Sequence, residues 1–162
     1  MRHIITLGDE VLKQNAAVIP EINQIIENLA NEMLESMYKG RGIGLAGPQV
    51  GEAKRIFVCH VDGDQARVFI NPTIVQTGIK EVDLEEGCLS IPGVYADVKR
   101  PQEVKVQAWD EKGKPFTLDA DGLLARVILH EIDHLNGTLF IDRVPEKRKQ
   151  RLIKLYNKRE RL

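Results

Sequence analysis

His130, Glu131 and His134 form a His-Glu-x-x-His motif, which restricts the fold and the chemistry of this chain more than any other feature. Residues four positions apart share one face of an α-helix, so both imidazoles can bind the same metal ion. The glutamate can take a proton from a water molecule that the ion has made more acidic. Leu123 and Val127 continue the spacing, which favours a helix packed on a core over two solvated histidines. The motif therefore predicts a metal-dependent hydrolase.

A catalytic metal site needs a third protein ligand. In the pattern H-E-x-x-H-x-x-G-x-x-H the third histidine would fall on Phe140, so that pattern fails. A downstream glutamate could only be Glu146 or Glu160, and both lie in a strongly basic segment. Upstream, Cys88 lies in segment 86–93, whose Gly and Pro residues predict a rigid irregular stretch and not a regular strand. Its thiolate suits a catalytic Cys/His/His set, but a small buried hydrophobe is an equally good interpretation.

The glycine-rich loop 42–51 contains G-x-G-x-x-G, the pattern of dinucleotide-binding sites. That function needs a strand before the loop and a helix after it, whereas here a helix precedes and a strand follows. Nucleotide binding is therefore excluded. The loop has little side-chain bulk and can approach a ligand closely. Gln49 can either donate its amide to a developing oxyanion or brace the loop.

Periodicity along the chain predicts an α+β fold. We expect small antiparallel or mixed β-sheets around the central metal-binding helix, with an N-terminal and a C-terminal helix, in a single domain covering residues 1–162. The predicted helices cover 21–38, 121–136 and a segment starting near Pro145. The predicted strands are 55–61, 67–70, 73–82 and 103–109, with a turn at Asn71-Pro72 separating the second from the third.

The bulk composition points to a cytoplasmic protein without a membrane or DNA partner. The chain has no run of 18 apolar residues, and acidic residues appear too early for a secretory signal. Two cysteines make a poor disulfide framework for 162 residues. Cys59 lies inside a strand pattern, so we interpret it as a core residue.

Three segments in this order resemble the peptide deformylase family of bacteria and organelles. They are the glycine-rich loop Gly42–Gln49, the Glu-Gly-Cys-Leu-Ser segment Glu86–Ser90 and the helix motif His130–His134. Weaker likenesses at residues 8–12 and 139–143 extend the resemblance over nearly the whole chain. Three ordered motifs are far more specific than any one of them.

The resemblance implies removal of the N-formyl group from the initiator methionine of nascent polypeptides. It implies three ligands of one divalent ion, namely Cys88, His130 and His134. The ion is usually Fe²⁺, although a thiolate with two imidazoles also accepts Zn²⁺, Ni²⁺ or Co²⁺. Glu131 becomes the general base and then the acid that protonates the leaving amine. Gln49 and the backbone N–H of Leu89 become the oxyanion donors.

The methionine side chain of such a substrate needs an apolar pocket beside the ion. Helical spacing puts Val127 one turn and Leu123 two turns before His130, and the glycine-rich loop adds Ile43 and Gly44. We expect these four residues to form the pocket.

Other side chains are assigned less specifically. Glu86 is interpreted either as a support for a ligand or a nearby arginine, or as a surface carboxylate. Asp133 is expected to face solvent or to form a local salt bridge. Three positions depart from the common family pattern, which has Ala at Gly47, Gln at Leu129 and, in some members, a substrate-binding Arg at Tyr95.

Residues 145–162 carry eight Lys or Arg and two Glu, a net charge of +6, which leaves −7 for the rest of the chain. Leu152, Ile153 and Tyr156 are spaced to dock a helix on the domain. The segment is either a solvated helix that closes the fold or a contact with ribosomal RNA, because clustered Lys and Arg neutralise phosphates.

Two alternatives to a deformylase remain open. A zinc endopeptidase would require a third ligand downstream of the motif. A binding module with a structural metal, from a different functional class, would require four protein ligands and no open position.

Overall fold

The computed structural model describes residues 1–161, and this range contains three α-helices and seven β-strands. In chain order they are α1 (Gln24–Lys39), β1 (Gly44–Ala46), β2 (Ile56–Cys59), β3 (Arg67–Thr77), β4 (Glu81–Cys88), β5 (Ile91–Pro101), β6 (Glu103–Trp109), β7 (Pro115–Asp121), α2 (Gly122–Leu135) and α3 (Glu146–Glu160). Short 3-10 turns occur at Glu10–Lys13, Gly47–Val50 and Phe140–Arg143. The α+β prediction, with a helix near each end, is confirmed.

The strands of the described range form two antiparallel sheets. One has five strands in the order β1-β2-β3-β6-β7, and the other is the hairpin β4-β5. β6 has the bounds that its alternating pattern predicted, and Val104, Val106 and Ala108 are its buried side. No helix in residues 1–161 is long and apolar enough to cross a membrane.

Alternation along the strands gives the five-stranded sheet two apolar faces. In β2, Phe57 and Cys59 belong to the cluster around α2, whereas Ile56 and Val58 belong to the cluster around α1. α2 also contacts β5 of the hairpin. The helix that carries the His-Glu-x-x-His motif therefore lies between the two sheets, as expected, and all of its residues from Ala125 to Leu135 are buried.

α3 packs against β5 of the hairpin. Leu152 and Tyr156 are buried in a third apolar cluster with Val94 and Val98 of β5. Ile153 is partly buried against the same cluster, so the prediction that Leu152, Ile153 and Tyr156 dock the helix on the domain is confirmed. The basic side chains of α3 are mostly exposed. The last residue of the predicted basic segment, Leu162, lies outside the described residues.

The predicted strand end at Asn71-Pro72 is wrong. β3 continues to Thr77, with register shifts between Ile70 and Thr73. Asn71 has a φ of 50°, and its side chain accepts the Ile19 N–H and donates to the Ile19 carbonyl, both at 2.9 Å. These tertiary hydrogen bonds stabilise a β-bulge where the local sequence indicated a turn. The strand predicted over 73–82 is thus divided between two strands.

Two further expectations need correction. Segment 86–93 is mostly strand, because β4 ends at Cys88 and β5 begins at Ile91 after a tight turn, and its irregularity is limited to that turn and to a register shift between Glu86 and Cys88. α1 begins at Gln24 and not at residue 21, because the Asn23 side chain caps it by accepting the Ile26 N–H at 3.2 Å.

Gly47 is required by a close approach of two backbone segments. A methyl group at this position would lie 2.7 Å from the carbonyl oxygens of both Glu52 and Lys54. We predict that Gly47→Ala lowers the free energy of unfolding by about 1–3 kcal/mol, because backbone atoms must move to admit the methyl group. Urea unfolding measures the change. Gly78→Ala is the control, since its methyl group would meet only the side chain of Glu103 at 3.2 Å or more. Equal stability changes in the two variants would contradict this explanation.

Candidate metal centre and active site

Cys88, His130 and His134 converge at one point between α2 and the β4-β5 hairpin. One ligand atom from each lies within 4.8 Å of the others, and this is the only such group of three or more found in residues 1–161. Cys88 Sγ is 3.3 Å from His134 Nε2, and the two imidazole centroids are 5.0 Å apart. The two histidines lie one turn apart on α2, whereas the thiol of Cys88 lies at the end of β4.

The donor atoms of this cluster fit a metal ion. Glu86 Oε1 lies 2.8 Å from His130 Nδ1, which leaves His130 Nε2 directed to the cluster. His134 Nδ1 is buried without a hydrogen-bond partner, and its Nε2 faces the thiol. One soft sulfur and two imidazole nitrogens are a donor set for divalent transition metals, and three protein ligands leave a coordination position open. This is the arrangement of a catalytic site and not of a four-ligand structural one.

Glu86 is a buried support for this centre and not a surface carboxylate. Arg100 donates to both of its oxygens, at 2.6 and 3.0 Å, and Arg126 donates to Oε2 at 2.7 Å. Burial alone would raise the pKa of Glu86, but the hydrogen bonds from His130 and Arg100 outweigh it and lower the pKa to about 2. Glu86 is therefore ionised at neutral pH and orients His130 as an acceptor.

The expectation that Asp133 faces solvent or a local partner is wrong. Asp133 is buried and accepts hydrogen bonds from Arg100 at 2.8 Å and from Arg143 at 2.7 Å. Arg100 lies on β5, 33 residues from Asp133, and Arg143 lies in the 3-10 turn after α2, ten residues away. Asp133 thereby extends the Glu86 network along the side of α2 that faces the hairpin, because Arg100 donates to both carboxylates.

Glu131 is buried beside the two histidine ligands. Its Oε2 lies 3.9 Å from His130 Nε2, and its Oε1 has no hydrogen-bond partner. Burial raises the pKa of Glu131 to about 7, against the opposing charge of His130. A methyl group on Gly44 would lie 2.5 Å from Glu131 Oε2, so the glycine makes room for the carboxylate. The unpartnered oxygen is free to exchange a proton inside the site.

The two imidazoles differ in proton affinity when no ion is present. Burial lowers the pKa of His130, but Glu131, Cys88 and Glu86 together raise it well above its ordinary value. Burial and the charge of His130 lower the pKa of His134 well below its ordinary value. Cys59 is a core residue, as expected, because its side chain is fully buried among apolar residues, and this burial raises its pKa to about 12.

Gln49 lies at the edge of the cluster and is held at both ends of its amide. Its Oε1 accepts the Ala46 N–H at 2.9 Å, and its Nε2 donates to Ser90 Oγ at 3.0 Å and to Cys88 Sγ at 3.4 Å. The amide thus braces the loop, which is one of the two alternatives for Gln49, and directs its N–H₂ group toward the cysteine; its role as an oxyanion donor stays a prediction. Leu89 follows Cys88 in the tight turn between β4 and β5.

A cavity of about 570 Å³ opens onto the cluster. Its lining includes the four residues expected to form a pocket, which are Ile43, Gly44, Leu123 and Val127. Ile43 and Leu123 are 42% and 48% exposed, so apolar side chains face the open space. Tyr95, also at the cavity wall, lies against Gly87, where a methyl group would be 2.5 Å from the ring. The arrangement suits a short peptide whose apolar side chain enters beside the ion.

Sequence reasoning missed Arg100 and Arg126, the two buried cations of the site. Arg126 also donates to the carbonyls of Val98 and Val82. A signal was present, because Arg126 lies about one helical turn before His130 and interrupts the apolar run from Leu123 to Leu129. A buried arginine in such a position requires a carboxylate partner, and Glu86 was the candidate available.

The comparisons with known proteins agree with this geometry. The family model described as polypeptide deformylase matches residues 1–150. Peptide deformylase of Prochlorococcus marinus subsp. pastoris is 51% identical over 148 residues, covering 89% of this chain and 74% of that protein. Peptide deformylase of Clostridium botulinum is 51% identical over 147 residues, covering 91% and 99%.

Solved structures of the same family superpose closely on this fold. The peptide deformylase of Legionella pneumophila matches with a TM-score of 0.94 and 39% identity, covering 99% of this chain and 96% of that one. The enzyme of Synechococcus elongatus in complex with actinonin matches with a TM-score of 0.92 and 43% identity, covering 96% and 88%. The endopeptidase and binding-module alternatives are thereby set aside. This chain belongs to the peptide deformylase family, the metal-dependent hydrolases that remove the N-formyl group from nascent polypeptides.

Proposed function

We propose that Cys88, His130 and His134 bind one Fe²⁺ ion and that this centre deformylates the initiator methionine of nascent chains. The observation that carries the proposal is the convergence of the three ligand atoms within 4.8 Å, with the unpartnered carboxylate oxygen of Glu131 beside them. The donor set also accepts Zn²⁺, Ni²⁺ or Co²⁺. When bound, the ion supplies Lewis acidity to the attacking water and to the formyl oxygen.

Glu131 is the proposed proton carrier. It accepts a proton from the attacking water and then donates one to the nitrogen of the leaving methionine, so that formate and a free amine are released. Two observations support this role: Glu131 is buried away from bulk water, and the missing side chain of Gly44 leaves room beside its carboxylate.

Gln49 and the backbone N–H of Leu89 are the proposed donors to the oxyanion. The Gln49 amide is already fixed by Ala46 and Ser90, so donating to the substrate requires only that its second N–H exchange the 3.4 Å contact with Cys88 Sγ for the oxyanion. The Leu89 side chain is seated over Gly40 and Gly42, where added methyl groups would lie 3.2 and 2.6 Å from Leu89 Cδ1. We infer that these two glycines form a notch that holds the Leu89 backbone in place.

The methionine pocket is proposed to consist of Ile43, Gly44, Leu123 and Val127. All four line the cavity next to Glu131. Apolar burial of a methionine side chain contributes about 1.5–3 kcal/mol when complete, which is enough to favour formyl-methionine over formylated polar residues.

Replacing the carboxylate of Glu131 should strongly reduce turnover without removing the metal. We expect Glu131→Gln to reduce kcat for formate release from formyl-Met-Ala-Ser by about 10²–10⁴-fold, because the variant cannot transfer a proton. The assay is run anaerobically, since a thiolate-bound centre is prone to oxidation. Metal content, measured by atomic absorption, should remain at the wild-type value. Unchanged kcat in a metal-loaded variant would rule out this role.

The glycine notch beneath Leu89 gives a second test. We expect Gly42→Ala to lower kcat by about 10²-fold, as loss of one oxyanion donor does, because the methyl group displaces Leu89 and moves its N–H. Gly40→Ala is the matched control and should have a much smaller effect, since its methyl group meets Leu89 at 3.2 Å and not at 2.6 Å. Steady-state kinetics on the two purified variants decide the point. A larger loss in Gly40→Ala would contradict the notch.

We propose that the whole chain acts as one catalytic domain in the cytoplasm and that α3 contacts ribosomal RNA near the emerging chain. Leu152 and Tyr156 anchor one side of α3 in the core, which leaves its basic side chains in solvent. Clustered Lys and Arg on one helix neutralise phosphates and would hold the enzyme close to its substrate.

Neutralising the exposed side of α3 tests the ribosome contact. The variant carries glutamine at four positions, Arg148, Arg151, Lys154 and Lys158. We expect co-sedimentation with ribosomes to fall and its salt dependence to become shallower, while kcat for the tripeptide stays unchanged. The control carries glutamine at the exposed residues Lys39, Lys80, Lys99 and Lys114. Equal co-sedimentation of the two variants would count against the contact. Truncation is unsuitable, because it would remove two buried core residues.

A further inference from the structure

Arg126 is a buried cation that connects three parts of the metal centre. It lies on α2, four residues before His130, and its guanidinium is almost fully buried. It donates to Glu86 Oε2 at 2.7 Å, to the Val98 carbonyl at 2.5 Å and to the Val82 carbonyl at 2.8 Å. Every one of these acceptors lies on the β4-β5 hairpin.

Two of the ligand positions depend on the acceptors of Arg126. Glu86 contacts His130 Nδ1 through its other oxygen, at 2.8 Å, and so fixes the rotation of that imidazole. β4, which contains Val82 and Glu86, ends at Cys88. A guanidinium that joins α2 to this strand therefore also fixes the distance between the histidine ligands and the cysteine ligand.

We propose that Arg126 is a positioning residue for metal binding, which clamps the helix bearing His130 and His134 to the hairpin bearing Cys88. This inference rests on the proposed ligand set. Arg100 joins the same two parts from the other side, since it lies on β5 and donates to Asp133 of α2 and to Glu86, whereas Arg126 reaches from α2 to the backbone of the hairpin. Arg126 itself touches neither the ligand atoms nor the reacting group.

Arg55 provides a matched control for a general loss of stability. It donates to the carbonyls of Leu135 and Ala16, at 3.0 and 3.4 Å, and to Asn136 Oδ1 at 3.0 Å. Like Arg126 it ties α2 to another segment through hydrogen bonds to backbone carbonyls. It does so at the C-terminal end of the helix, without contact to Glu86.

The test is the affinity of the purified protein for Zn²⁺, measured by competition with a chromophoric chelator. We expect Arg126→Met to weaken Zn²⁺ binding by about 10–100-fold, the usual effect of losing a partner of a ligand. Arg126→Lys, which keeps the charge and can reach part of the acceptors, should recover some of the affinity. The Zn²⁺ affinity of Arg55→Met should remain within about twofold of that of wild type, even if its thermal unfolding midpoint falls as far as that of Arg126→Met. The absorption spectrum of Co²⁺-loaded protein should change in Arg126→Met and not in Arg55→Met.

A double-mutant cycle separates positioning from loss of stability. In a Glu86→Gln background, Arg126→Met should weaken Zn²⁺ binding by less than it does alone, because part of its effect passes through Glu86. If Arg126→Met fails to fold, Arg126→Gln replaces it in each measurement. Zn²⁺ affinity within twofold of wild type in either folded variant overturns the proposal. An error in the proposed ligand set would give a different result. In that case His130→Ala would bind Zn²⁺ as tightly as wild type.

Discussion

The buried carboxylate of Glu86 is the interaction on which the metal centre depends. It meets two guanidinium groups and one imidazole in a space closed to solvent, and these partners lower its pKa to about 2. Breaking a buried ion pair by removing one partner typically costs about 3–5 kcal/mol, because the remaining charge stays desolvated. Glu86 therefore needs all of its charged partners, and losing either Arg100 or Arg126 would leave its buried charge partly uncompensated.

The two sheets explain why the residues of the site come from three separate segments. α2 fills the space between the five-stranded sheet and the hairpin, so its ligand-bearing side faces the end of β4. The loop before β2 passes next to the metal-ligand cluster, so that Gln49 lies within hydrogen-bond distance of Cys88. Local helix geometry sets the distance between the histidines, whereas packing sets every other distance in the site.

This division also accounts for what the sequence could predict. The spacing of His130 and His134 is a local property, and the ordered motifs made Cys88 and Gln49 candidates through resemblance. The bulge at Asn71 could not be foreseen, since its hydrogen bonds go to Ile19, about fifty residues away. β5 was missed because its Pro and Gly residues masked the alternation of buried Val94, Ala96 and Val98.

The three departures from the family pattern lie outside the chemistry for identifiable physical reasons. Gly47 stands where two backbone segments approach too closely for a side chain. Leu129 is buried in the cluster between α2 and the five-stranded sheet, so an apolar side chain there adds to the core. Tyr95 stacks over Gly87 at the cavity wall, where its ring offers a peptide an apolar surface and a hydroxyl in place of a guanidinium. The first two changes therefore act on packing, and only Tyr95 is placed to alter how a substrate is held.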